Sequence, residues 1–170
     1  WYELVDLLRG AVAQDALRHA RPWYAMAKLT DTLAPSPEPA MDRALADRAR
    51  ARGLAIDHLE TWTDQLAALD RSVGVADLEQ AIHAHAEIAC DRDRSRALYD
   101  AGDAATMTRL LRIPATDALV VERDRAWLAQ LERYADGDGA FVAVGLAHLL
   151  GPGSLPELLA AAGYTVERVR

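Results

Sequence analysis

Ala140-Phe141-Val142-Ala143-Val144-Gly145-Leu146-Ala147-His148-Leu149-Leu150-Gly151-Pro152-Gly153 is the stretch on which the reading of the fold turns. Apolar, largely β-favouring residues run from Ala140 to Val144 and stop at a glycine. His148 stands three positions after Gly145, and Gly151-Pro152-Gly153 breaks the chain before a new helical pattern begins. The pattern predicts a buried strand over residues 140–144 that delivers His148 just past its carboxyl end. In open α/β folds, ligands bind at that end of the strands. His148 is therefore the titratable side chain best placed for chemistry.

Downstream, Ser154-Leu155-Pro156-Glu157 has the Ser-x-x-Glu pattern of a capping box. It predicts a helix that runs to Ala162 and stops at Gly163, with a last strand over residues 164–169. Residues 140–169 thus read as strand, loop, helix, strand, a right-handed βαβ unit with parallel strands. Upstream, residues 54–59 alternate and lead to Glu60, and Thr61 with Asp64 suits the start of a helix. This second strand end places Glu60 much as His148 is placed, and His58 shares its face. A solvated carboxylate or a cap is the equal alternative for Glu60. The expected fold class is α/β, helix-rich with a small, mostly parallel sheet, as one domain over residues 1–170.

The rest of the chain reads as helices. Trp1, Leu4, Val5 and Leu8 make one apolar stripe, and Trp23, Met26, Ala27 and Thr30 another. Tryptophans at this spacing are expected in the core. Residues 34–39 form a proline-rich loop. A helix is expected over residues 75–89, where Glu79, His83 and Glu87 recur every fourth residue. That spacing is acceptable for a metal, but a solvated acidic face is the commoner meaning. A helix over residues 104–112 is expected to end at Pro114. The following helix, 117–135, carries Val120, Trp127, Leu131 and Tyr134 on its apolar stripe, with Arg123 on the same face. A buried guanidinium must find a partner, because an unpaired charge is strongly unfavourable there. Arg123 is either a structural salt bridge or a group that reaches into a site to hold an anion or orient a carboxylate.

Composition removes several classes of function. The chain has 170 residues, 51% hydrophobic and 26% charged, with a net charge of -7 and basic residues scattered among acids. That is not the footprint of a nucleic-acid-binding surface. The single cysteine, Cys90, excludes an internal disulfide and is expected to be a buried, inert thiol. No apolar run is long enough to span a bilayer. The chain begins Trp1-Tyr2 rather than with Met, which is expected of a processed or partial sequence.

Taken together, Pro22-Trp23, Leu59-Glu60-Thr61 with Gln65-Leu66, Tyr99 with Gly102-Asp103, Glu122-Arg123-Asp124-x-x-Trp127 and the Phe141-to-Gly151 run occur in an order and spacing that resemble the TraB/GumN family. That family is related to the TIKI metalloproteases and grouped with the erythromycin-esterase-like (EreA) and ChaN-like folds. The resemblance implies a metal-dependent hydrolase, possibly a peptidase, acting on a peptide or small-molecule substrate with a divalent ion such as Zn, Mn or Co. It implies two Gly-x-x-His motifs, an early acidic residue and a late Glu-Arg pair. Gly145 and His148 match the second motif, with His148 as a metal ligand, and Glu122 and Arg123 match the pair. Glu60 joins Glu122 and Arg123 as a candidate catalytic residue.

The sequence departs from the family twice. Asp124 stands where relatives usually have asparagine, and no other glycine has histidine three residues on. The chain is thus expected to be the carboxyl-terminal part of the fold, its first part missing. Exported or periplasmic location is what the resemblance suggests. A catalytically inactive binding or structural protein is the alternative reading.

Overall fold

The computed structural model describes residues 1–36, 40–112 and 114–169, the side chains of 114–118 excepted. In chain order the helices are α1 (Tyr2–Leu7), α2 (Gln14–Arg18), α3 (Pro22–Leu33), α4 (Met41–Ala51), α5 (Trp62–Ser72), α6 (Val75–His83), α7 (Ile88–Asp100), α8 (Ala104–Leu111), α9 (Pro114–Asp136) and α10 (Leu155–Ala161). Among the described residues, two 3₁₀ turns, His85–Glu87 and Leu146–Leu149, complete the regular structure.

Sequence signals account for some of these boundaries, although Ser154, expected to open a capping box, makes no side-chain cap bond, and Glu157 accepts from the Gly153 N–H instead. Pro22 opens α3, where its missing N–H is no loss. Thr61 and Asp64 cap α5 reciprocally: Asp64 N–H donates to Thr61 Oγ1 at 3.2 Å, and Thr61 N–H to Asp64 Oδ2 at 3.3 Å. Pro114 was expected only as the stop of the preceding helix, but it starts α9, the other role its ring suits. The helix expected over residues 75–89 breaks at Ala84. His83 therefore ends α6 while Glu87 sits in the 3₁₀ turn, so the every-fourth-residue face of Glu79, His83 and Glu87 is not continuous. The proline-rich loop over 34–39 falls partly outside the described residues, at 37–39.

The expected α/β fold is not what forms. Among the described residues there is no strand and no sheet. The runs 54–59, 140–144 and 164–169 carry no ladder pairing, so neither the βαβ unit nor the EreA/ChaN-like parallel sheet is present in them. The reason is physical. A helix satisfies its backbone from within, whereas a strand needs a neighbour to bond to. β-favouring composition alone supplies no such neighbour, and Phe141 at 82% exposure and Val169 at 92% lie open to solvent instead.

Contacts gather the chain into two compact units, Trp1–Glu38 with Leu66–Asp103, and Pro39–Gln65 with Ala104–Arg170. The first unit is built on Leu4, Leu8, Leu17, Ala25, Leu29 and Ile82, from α1, α2, α3 and α6. Leu8 and Leu29 are wholly buried, and each such burial contributes about 1.5–3 kcal/mol. The buried stripe of α3 is Ala25 and Leu29, so the expected phase through Trp23, Ala27 and Thr30 is displaced. Trp23 lies at the border instead, its indole N–H donating to Asp70 Oδ1 at 2.9 Å. Cys90, expected to be buried, is an exposed free thiol on α7. The helix meets the core of its unit through Ile88, and Cys90, two residues on, lies on the opposite face.

The second unit has its core at Trp127, Leu131 and Leu155, with Leu59, Tyr134, Val144 and Leu159 packed around it. Here α9 is the axis, and α10 and the 3₁₀ turn at 146–149 pack against it. This unit holds the candidate site.

Candidate functional site

The buried face of α9 sets the geometry. Val120, Asp124, Trp127 and Leu131 are all buried. Their spacing of four, three and four places them on one stripe of a helix. One of these apolar positions is therefore held by a carboxylate, and Arg123 lies beside it.

Two segments are brought to this face. The first carries Glu60. Tyr134 O–H donates to the Asp57 carboxylate, and Gln130 Nε2 donates to Asp57 Oδ2 and to the His58 carbonyl, both at 3.2 Å. The Tyr134 hydrogen bond is the main reason the Asp57 carboxyl lies below its ordinary value. With residues 57 and 58 held on α9, Leu59 packs on the core and Glu60 follows next to Arg123.

The second segment carries His148, which sits in the 3₁₀ turn rather than at a strand end. The turn is clamped by one guanidinium: Arg112 donates to the carbonyls of Ala147 at 3.3 Å, Leu150 at 2.9 Å and Pro152 at 2.6 Å. Gly151 follows with φ of +77°, and a Cβ there would lie 2.9 Å from Thr108 Cγ2. Both facts require glycine.

The four side chains then form a linked set. Arg123 grips Glu60 through two bonds, Nε to Oε2 at 2.9 Å and Nη2 to Oε1 at 2.5 Å. Arg123 Nη1 lies 3.4 Å from His148 Nε2. On the other side of the ring, His148 Nδ1 lies 2.5 Å from Asp124 Oδ1. Trp127 floors the arrangement, with its ring 4.7 Å from the His148 ring and the Arg123 Cζ 4.7 Å from its centroid. That places the cation over an aromatic face.

These contacts favour one state of His148. A guanidinium has only donors, so the ring nitrogen that faces it must be bare. The imidazole is then neutral, with its proton on Nδ1, where it donates to Asp124. Burial is the main cause that holds the His148 pKa below 6.5, and the Arg123 charge acts in the same direction. Burial likewise raises the Asp124 carboxyl above its usual value, against the pull of His148, Arg112 and Arg123. Asp124 Oδ2 is buried and has no hydrogen-bond partner among the described residues.

Of the residues singled out from sequence, Glu60, Arg123 and His148 come together here. Glu122 stands one position before Arg123 on α9 and is exposed. Asp124 is the member that motif reading left in the background. Its signal was a carboxylate at 120 + 4 and 127 − 3, squarely on the apolar stripe. Among the described residues, no group of three or more His, Cys, Asp or Glu is arranged to hold a metal ion.

The model of the TraB/PrgY/gumN family matches residues 2–168. The chain belongs to the TraB/PrgY/gumN family. No curated protein and no solved structure matches it. Membership places the Glu122-Arg123-Asp124 and Gly145-x-x-His148 segments within the matched region, and the structure shows what links them: Arg123 and Asp124 engage opposite nitrogens of one imidazole. No described helix is long and apolar enough to cross a membrane.

Proposed function

We propose that the second unit carries a working part of a hydrolytic site, with the bare Nε2 of His148 as its reactive atom. The observation that carries this reading is the His148 ring set between Asp124, on Nδ1, and Arg123, on Nε2. A neutral imidazole with a free lone pair is the form that takes a proton from water or binds a metal. Arg123, anchored by Glu60, supplies positive charge beside that atom. It is placed to hold the oxygen of a substrate carbonyl as negative charge develops on it. The substrate class is a peptide or a small molecule with a hydrolysable carbonyl.

A divalent ion is the cofactor that family resemblance suggests. The donors in hand supply one ligand to it, His148 Nε2. Glu60 gives both oxygens to Arg123, and Asp124 bonds the far nitrogen of the ring. Catalytic zinc takes about three protein ligands, so the described residues do not fit a complete metal centre. Glu60 acts as the anchor of Arg123 in this reading, and not as a base.

The same observation favours a second reading, a binding protein without turnover, in which Arg123 and His148 hold an anionic ligand. Metal content of the intact protein, wild type against His148→Ala, combined with peptide hydrolysis in the presence of Mn, Co or Zn, separates the two. Hydrolysis abolished by His148→Ala supports the hydrolase. Equal metal content in both proteins removes His148 as a ligand, and no turnover under any condition leaves the binding reading.

A further inference from the structure

The run 140–144 has the side-chain pattern of a strand without the pairing of one. Val144 packs on the core of the second unit. Val142, on the same side of an extended chain, is 39% exposed, while Phe141, on the other side, is 82% exposed. The chain passes from Ala140 to Gly145 with no turn or bend. Among the described residues, no backbone N–H or carbonyl of 140–144 takes part in a hydrogen bond. One face of the run is seated, and its backbone groups are left to water.

The two other extended runs of the unit differ. In 54–59, His58 N–H donates to Asp57 Oδ1 at 2.8 Å and the His58 carbonyl accepts from Gln130. The run 164–169 adds no residue to the core cluster among the described residues and carries the charges of Glu167 and Arg168. Only 140–144 combines a seated apolar face, a free backbone and direct continuity with the turn that holds His148.

We propose that 140–144 is a docking edge for an extended peptide, which adds to it as a strand and is led by it to His148. This rests on reading His148 as the working group, and it narrows the substrate to a polypeptide. A row of N–H and C=O groups at strand spacing is matched by another extended backbone. A compact small molecule has no such row to offer. Gly145 and the turn at 146–149 follow directly on Val144, so a peptide laid along the run passes the site.

Two features set the character of the peptide. Phe141 stands on the open face, where an apolar residue opposite it gains a cross-strand contact. Asp136 and Asp138 lie exposed just before the run, in a chain of net charge -7. A basic residue at that end of the peptide is therefore favoured.

The probe is an acetylated, amidated peptide of alternating valine and threonine with one lysine at an end. Two isomers are used, because parallel and antiparallel pairing bring opposite ends to Asp138. Hydrogen exchange is read on the intact protein. The amides of 140–144 are expected to exchange fast in the free protein and about tenfold more slowly with one isomer at saturation. The same peptide N-methylated throughout keeps its side chains and loses its donors, and is expected to give no protection. Successive N–H groups point to opposite edges of a strand, so Ala140→Pro with Ala143→Pro removes a donor from each edge. The double variant is expected to bind about tenfold more weakly. Its thermal midpoint is expected to be unchanged, because both alanines are exposed. The N-methylated probe gives the same test on wild type if the double variant does not fold. The lysine-ended probe is expected to bind about threefold more tightly than a glutamate-ended one.

Slow exchange of 140–144 already in the free protein means that another part of the polypeptide or a second copy fills the edge, and overturns the proposal. Equal affinities for the probe and its N-methylated form identify adsorption to an apolar patch and overturn it too, as do equal affinities for the lysine- and glutamate-ended probes. His148→Ala is expected to keep the peptide bound while losing any hydrolysis. A protected edge with no turnover in wild type leaves the docking edge standing and removes the hydrolase reading. Peptide turnover with the edge still exchanging freely keeps the hydrolase and overturns the docking edge.

Discussion

Arg123 and Glu60 are 63 residues apart in the chain, and they close two hydrogen bonds on each other. Their side chains are only 19% and 17% exposed. The pair joins the segment before α5 to the middle of α9, and the angle of the guanidinium toward His148 depends on it. Breaking it leaves a largely desolvated charge without its partner. Glu60→Gln is expected to cost about 1–2 kcal/mol and Arg123→Met about 2–3 kcal/mol. A double-mutant cycle from urea unfolding should return a coupling of about 1–3 kcal/mol. A coupling near zero would show that the pair does not organise the site.

Trp127 is the largest side chain in the core of the second unit, and it is also the surface on which His148 and Arg123 rest. Trp127→Ala removes the packing and the platform together. It is expected to destabilise by about 3–5 kcal/mol. Trp127→Phe keeps a ring and should cost less than half of that. Far-ultraviolet circular dichroism in urea reads both, and a loss below about 1 kcal/mol for the alanine variant would place the core elsewhere.

The 3₁₀ turn that holds His148 depends on Arg112 and Gly151. Lysine has a single ammonium head and cannot reproduce a planar fork over three carbonyls. Arg112→Lys is expected to loosen the turn and speed hydrogen exchange at the amides of residues 147–150. Gly151→Ala forces a left-handed backbone on alanine and a Cβ at 2.9 Å from Thr108 Cγ2. It is expected to cost about 1–3 kcal/mol. Gly53→Ala has the same backbone strain at φ of +67° but meets nothing within 4 Å, so it should cost less. Equal losses at the two positions would show that the close approach at Gly151 is unimportant.

Burial holds His148 below the 6.5 of an ordinary histidine. As pH falls through 6.5, the unfolded chain takes up a proton that the folded chain refuses. The stability this residue contributes is therefore complete above about pH 6.5 and declines below it, toward the folded pKa. Asp124 has the opposite sign, because its raised carboxyl titrates above 3.8 and its contribution is lost as pH rises through that range. Unfolding free energies measured from about pH 5 to pH 8 should rise with pH in wild type and flatten in His148→Gln. An identical slope in both proteins would mean that His148 is not buried in neutral form.

Much of the helical layout was legible from sequence because its causes are local. Pro22 opens α3, Thr61 and Asp64 cap α5, and the stripe through Val120, Trp127 and Leu131 faces the core of its unit. The strands were misread for the complementary reason. Runs 54–59 and 140–144 have the composition of strands, but a ladder requires a partner that composition cannot name. Cys90 was misplaced because a thiol follows its helix, and α7 turns Ile88, not Cys90, toward the core of its unit. The site was partly visible. His148, Arg123 and Glu60 stood out as polar groups at the ends or on the faces of apolar patterns. Asp124 stood on the same stripe and was noticed only as a departure from the family's asparagine.

By itself the sequence determined the family, part of the helical layout, and the three residues that converge on the site. Those follow from order, spacing and local hydrogen bonding, which a linear chain records. The tertiary structure alone decided how these residues are paired. It placed Glu60 on the outer edge of Arg123, Arg123 on one nitrogen of His148 and Asp124 on the other. The bidentate ion pair and the two partners of the imidazole ring all come from that convergence. They depend on distances between residues remote in sequence, and on burial, which no local pattern carries.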